Sequence, residues 1–173
     1  MDKIKFKRLL FDVACGAVSC DGDIDDREVR ELEQIDKSTA YFEEIDLSNN
    51  LRRFFEMFKE NPNKTINNVL TKLEYEKFDP VQEMLILEIT LRLIYADTVI
   101  HEKEKEYIQN IRSCLDLKDD LIKQRFGDIN FLFQSSEVIK ISSGPSKKSE
   151  SKTVDVESFK NMYANFDLKK KKL

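Results

Sequence analysis

Between Asp79 and Ala96 runs a segment that is apolar on nearly every side: Val81, Met84, Leu85, Ile86, Leu87, Ile89, Leu91, Leu93 and Ile94. Asp79-Pro80 is a capping residue followed by proline at the first helical position, so the segment reads as a helix over about 80–96. A helix with no polar face is stable in water only when other elements cover it all round, which makes this the buried central helix. No apolar stretch in the chain approaches the 18–20 residues needed to cross a bilayer. Four glycines and three prolines in 173 residues leave too few turn residues for a sandwich or barrel. The expectation is one all-α domain of ordinary size, with enough chain to bury a core.

The covering helices follow from periodicity. Helix A, about 3–20, carries Phe6, Leu9, Leu10, Val13, Ala14 and Ala17 on one face. Helix B, about 26–36, turns Val29, Leu32 and Ile35 inward; 37–48 is unassigned, at most a short helical turn. Helix C starts after Ser48 as N-cap, shows Leu51, Phe54, Phe55 and Phe58, and ends at Asn61-Pro62-Asn63. Helix D follows with Ile66, Val69, Leu70 and Leu73, then central helix E. Helix F, about 101–115, shows Tyr107, Ile108, Ile111 and Leu115, and a short helix G, 118–126, precedes the apolar cluster Ile129, Phe131, Leu132 and Phe133. Twelve phenylalanines exceed what one small core needs, so Phe54, Phe55 and Phe58, or Phe131 and Phe133, are candidates for an apolar patch that meets a partner.

An offset of 76 residues superimposes two segments. Val18–Glu28 lies over Ile94–Glu104, pairing Asp21 with Asp97, Ile24 with Ile100 and Glu28 with Glu104. The apolar frame follows, Val13 with Ile89, Leu32 with Ile108 and Ile35 with Ile111. Each copy is an apolar helix, a short acidic turn and an amphipathic helix, so two helical hairpins should pack about a pseudo-two-fold axis. In each copy the aspartate caps the turn, the isoleucine enters the core, and the glutamate sits near the positive end of the next helix, where a carboxylate is favoured. The turn matches the later half of an EF-hand loop, but Ala17 would occupy the first ligand position and cannot coordinate. The alternative register, beginning at Asp21, puts Leu32 where the bidentate glutamate belongs. Neither register makes an EF-hand.

The doubled pattern resembles the TerB-like (tellurite-resistance protein B) domain family, related to the N-terminal domain of membrane-anchored DnaJ-like co-chaperones. The resemblance covers about residues 5–127 and is carried by Ala14, Asp21, Gly22, Ile24 and Glu28 in copy one, and by Ala96, Asp97, Ile100 and Glu104 in copy two. It implies a compact bundle of about seven helices. It also implies a face of carboxylates from both loops, proposed in the family to hold a divalent cation, and a non-enzymatic cytoplasmic role in tellurite and other stress, often with membrane partners. Thr98 stands where copy one has Gly22, and Cys20 where copy two has Ala96.

If the hairpins face each other, Asp21, Asp23, Asp25, Glu28, Asp97, Glu102 and Glu104 converge. Such oxygen-only donors suit calcium, magnesium or manganese rather than zinc; otherwise these acids cap helices and are solvated. Cys15, Cys20 and Cys114 are an odd set without metal-ligand spacing, and they read as structural thiols of a reducing cytoplasm. His101, the only histidine, opens helix F, and no G-x-S-x-G, P-loop or HExxH motif accompanies it, so no enzyme is expected. Met1–Arg8 is charged, with no cleavage site after an apolar stretch, so no signal peptide is expected.

Charge divides the chain. Residues 140–173 hold nine lysines and four acids, a net of +5; with −4 for the whole chain, residues 1–139 carry −9. An acidic body disfavours nucleic acid. The chain reads as a helical domain over 1–133, a Ser/Gly/Pro/Lys linker over 134–153, and a short helix with a flexible basic end over 154–173. Val156, Phe159, Met162, Tyr163 and Phe166 form a helical stripe there, and Lys169, Lys170, Lys171 and Lys172 offer weak attraction to anionic lipid. The expected role is a cytoplasmic module, peripheral to the inner face of the membrane at most, that binds a divalent cation and engages protein or membrane-associated partners. The alternative is a metal-independent helical scaffold using its acidic face or aromatic patch.

Overall fold

The computed structural model describes residues 2–22, 26–96 and 99–133, with the side chain of Asp26 excepted. All regular structure among them is helical: α1 (Lys3–Ser19), α2 (Asp26–Ser38), α3 (Leu47–Glu60), α4 (Pro62–Tyr75), α5 (Pro80–Ile94), α6 (Glu102–Ser113), α7 (Asp119–Phe126) and α8 (Asn130–Phe133). The seven expected helices are present, and the apolar cluster after helix G forms an eighth, a single short turn. The expected linker and basic end lie outside the described residues.

Local chemistry sets the boundaries. Asp2 starts α1 by accepting from the Ile4 and Lys5 amides at 2.9 and 3.0 Å. Asp79 starts α5 in a capping box with Gln82, with Pro80 in the first turn. The start of α3 differs from expectation: Asp46, not Ser48, is the cap, accepting from Asn49 N–H at 3.1 Å. Asn61 both ends α3 and caps α4, so a single residue separates the two helices. The segment between α2 and α3 is irregular yet anchored, because Phe42 is fully buried, edge-on to Phe11 at 5.5 Å.

Helix α5 is central, with Ile86, Leu87, Ile89, Leu91, Leu93 and Ile94 all inaccessible, and it packs most extensively on α1. Its first turn is covered on one side only: Val81 is 77% exposed, whereas Glu83 is buried. The all-round apolar pattern therefore overstates burial at the N-terminal end, where α5 has emerged from beneath its neighbours.

The pairing of the hairpins is reciprocal. Gly16 of α1 lies under Tyr107 of α6, so close that a Cβ there would sit 2.2 Å from the phenol oxygen. The phenol donates to the Val13 carbonyl at 2.9 Å. At the positions 76 residues on from Gly16 and 76 back from Tyr107, Arg92 of α5 bonds Glu31 of α2 through Nη2 at 2.8 Å. The first helix of each copy thus meets the second helix of the other, as a pseudo-two-fold arrangement requires. Phe54, Phe58 and Phe131 face the core, whereas Phe55 and Phe133 are half-buried. The apolar surface on α3 accordingly reduces to Leu47, Leu51, Phe55 and Met57.

Because Tyr107 is buried and held at both ring and hydroxyl, Gly16→Ala should be an overpacking change that costs about 1–3 kcal/mol. Urea denaturation of the two proteins reads this directly; equal midpoints would show that α1 and α6 separate without penalty.

Candidate functional site

The first acidic loop leaves α1 through a closed turn. Gly22 N–H returns to the Ser19 carbonyl at 3.0 Å, and Gly22 adopts a φ of +93°, which side-chain-bearing residues rarely take. Cys20 caps α1 and its thiol donates to the Ala17 carbonyl at 3.4 Å. The turn presents Asp21, half-buried, at the edge of the bundle.

The second loop feeds α6. Glu104 turns back so that its carboxylate accepts the His101 backbone N–H at 2.5 Å, which satisfies a helix-start donor. His101 itself is exposed at the N-cap. Lys103 reaches across to the first loop, donating from Nζ to the Asp21 carbonyl at 3.2 Å. The start of α6 therefore lies against the turn that follows α1.

Glu28 and Glu104, the matched glutamates of the two copies, are both buried, at 5% and 2% exposure. Helix starts usually carry solvated acids, so a symmetric pair of inward-facing ones is unusual. They also act on a common group. Burial raises the Cys20 thiol pKa first, and then Glu104, Asp21 and Glu28 raise it further, in that order. Negative charge disfavours a thiolate beside it, and all three acids act in that direction on the one sulfur. Cys15 also has a raised pKa, through burial and then Asp12. Burial and the neighbouring acids thus both favour the neutral thiol at Cys15 and Cys20.

Glu102 is placed elsewhere: its side chain is 85% exposed and pairs with Lys105 at 2.6 Å. Asp23, Asp25 and Asp97 lie outside the described residues, as do Lys169, Lys170, Lys171 and Lys172. Among the described residues, no group of three or more His, Cys, Asp or Glu side chains is arranged to hold a metal ion. Two further buried acids escaped the sequence reading. Glu83 accepts the Asp116 N–H at 3.1 Å, and Glu88 accepts Arg125 Nη2 at 2.7 Å. Both lie within the apolar helix α5, and their partners come from distant segments, so periodicity alone carries no signal for them.

The family model for tellurite resistance protein TerB matches residues 9–125, about two thirds of the chain. This chain belongs to the TerB family. The match runs from within α1 to one residue short of the end of α7, leaving α8 and everything after it outside. Comparison with curated proteins and with solved structures gives no match. No described helix of this TerB-family protein is long and apolar enough to cross a membrane.

The electrostatic ordering at Cys20 has a measurable consequence. Removing the Glu104 charge lowers the thiol pKa, so Glu104→Gln should raise the thiolate fraction and speed Cys20 alkylation several-fold at pH 8.5. Glu28→Gln should do the same more weakly. Iodoacetamide rates followed by peptide mass spectrometry in a Cys114→Ser background test this; unchanged rates in both variants would separate the carboxylates from the thiol.

Proposed function

We propose that this TerB-family protein is a non-enzymatic module of a tellurite-type stress response, and that the two repeated acidic loops share a divalent cation. The observation that carries the reading is the burial of Glu28 and Glu104 at matched positions, both acting with Asp21 on the Cys20 thiol. Carboxylates taken out of water need donors or a cation to compensate lost hydration. The donor chemistry fits: oxygen ligands from Glu28, Glu104 and Asp21, with Asp23, Asp25 and Asp97 on the same loops in sequence, suit calcium, magnesium or manganese. A bound cation would supply charge neutralisation between the loops and order them against each other. The module would then present that face to protein partners in the cytoplasm, membrane-associated ones among them, with weak anionic-lipid contact through Lys169–Lys172.

A second reading has its own observation. Glu104 already spends an oxygen on the His101 N–H. Together with the Lys103 tie to Asp21, this links the loops without any ion and favours a metal-independent scaffold that uses its acidic face directly.

Calorimetric titration of chelator-stripped protein with calcium, magnesium and manganese separates the two. The cation reading expects saturable binding, a melting temperature raised by several degrees at millimolar ion, and loss of both effects in Glu28→Gln/Glu104→Gln. A folded protein with no binding and no shift would leave the scaffold.

A further inference from the structure

Beside the first loop, α4 and α6 part and leave a cleft of about 410 Å³, within the size range of small-molecule sites. Phe58, Ile66 and Leu70 supply its apolar lining. Carboxamides stand on both walls, Asn63 and Asn67 from α4 and Asn110 from α6. Among the described residues, none hydrogen-bonds any of these three side chains. The charged side chains of the described lining are Lys103 and Glu106, opposite in sign and one turn apart on α6. They do not pair with each other. Lys103 Nζ donates once, to the Asp21 carbonyl at 3.2 Å, and Glu106 is exposed without an ion pair among the described residues.

We infer that the cleft between α4 and α6 binds a small zwitterion with an apolar side chain, namely a free α-amino acid. The charges of the lining decide the class. Residues three apart on a helix lie about 4.5 Å apart along its axis, so Lys103 and Glu106 offer both signs to one small ligand. Lys103 has further N–H donors for the carboxylate, and the Glu106 carboxylate accepts from the ammonium. The three carboxamides carry both donors and acceptors, so they complete the hydrogen bonds of either group. Phe58, Ile66 and Leu70 take the side chain out of water. A simple anion or cation would satisfy one of the two charges and meet its own sign in the other. The interior of a peptide is neutral and would leave both unmatched. Through its bond to the Asp21 carbonyl, Lys103 also joins the cleft to the first loop, so occupancy is felt at that turn.

Heteronuclear NMR titration of the full chain with L-leucine and L-phenylalanine tests this, with chelator present so that the outcome is independent of the cation reading. Saturable shifts should appear at the amides of Asn67, Asn110 and Gly22, with a Kd in the millimolar range or tighter. Three analogues should each bind at least about fivefold more weakly than leucine. They are 4-methylpentanoate, without the ammonium, isoamylamine, without the carboxylate, and glycine, without the side chain. Lys103→Gln and Glu106→Gln, both at exposed positions, should weaken leucine binding by a similar factor and leave the rest of the spectrum in place. Absence of saturable shifts with either amino acid would overturn the inference. So would equal binding of N-acetyl-leucinamide, which carries neither charge and would make the cleft a reader of peptide amides, or binding indifferent to both charge changes.

Discussion

The close approach of α1 and α6 at Gly16 and Tyr107 is the contact on which the arrangement of the loops depends. A residue without a side chain lets a buried phenol lie directly on the helix backbone and donate to the Val13 carbonyl. That contact holds α6 so that its first turn abuts the turn leaving α1, where Lys103 bonds the Asp21 carbonyl. The equivalent contact in the other half is Arg92 with Glu31, an ion pair with little solvent exposure on the arginine. One half thus uses backbone proximity where the other uses charge. Strong pairing on both sides keeps the copies in register while leaving the loops themselves different.

Burying acids is costly unless each finds donors, and four are buried among the described residues. Glu83 and Glu88 meet the requirement with a backbone N–H and a guanidinium from outside their helix. They tie α5 to the Asp116 turn and to α7, so their role is structural. Glu104 uses the His101 N–H, at the start of its own helix. Glu28 and Glu104 differ from the other two in standing at the mouths of the loops and in sharing their field with Cys20. That distinction, rather than the acidity of the surface as a whole, sets the two loop glutamates apart from Glu83 and Glu88.

Most of the architecture was legible in the sequence because periodicity and capping are local signals. The helix boundaries fall within a few residues of those expected, including the start of α3, where Asp46 rather than Ser48 is the cap. A carboxylate and a hydroxyl are both good caps, and only the entry angle of the chain chooses between them. The 76-residue offset identified the hairpins and matched Glu28 with Glu104. Val81 and Phe42 were not legible: one is apolar yet exposed, the other is buried in an irregular segment. Each depends on which neighbour happens to extend over it.

The sequence by itself determined the all-α class, the doubled hairpin and the identity of the matched acids, because hydrophobic period, turn residues and repetition are written along the chain. Tertiary structure alone decided which acids turn inward. Glu102 and Glu104 are two residues apart on one helix, yet about 100° per residue of helical rotation sends the first to solvent beside Lys105 and the second into the bundle. It also decided that a glycine, unremarkable in the sequence, would seat Tyr107, and that α4 and α6 would part to leave a cleft. These are consequences of how surfaces from distant segments meet, and no local pattern encodes the meeting.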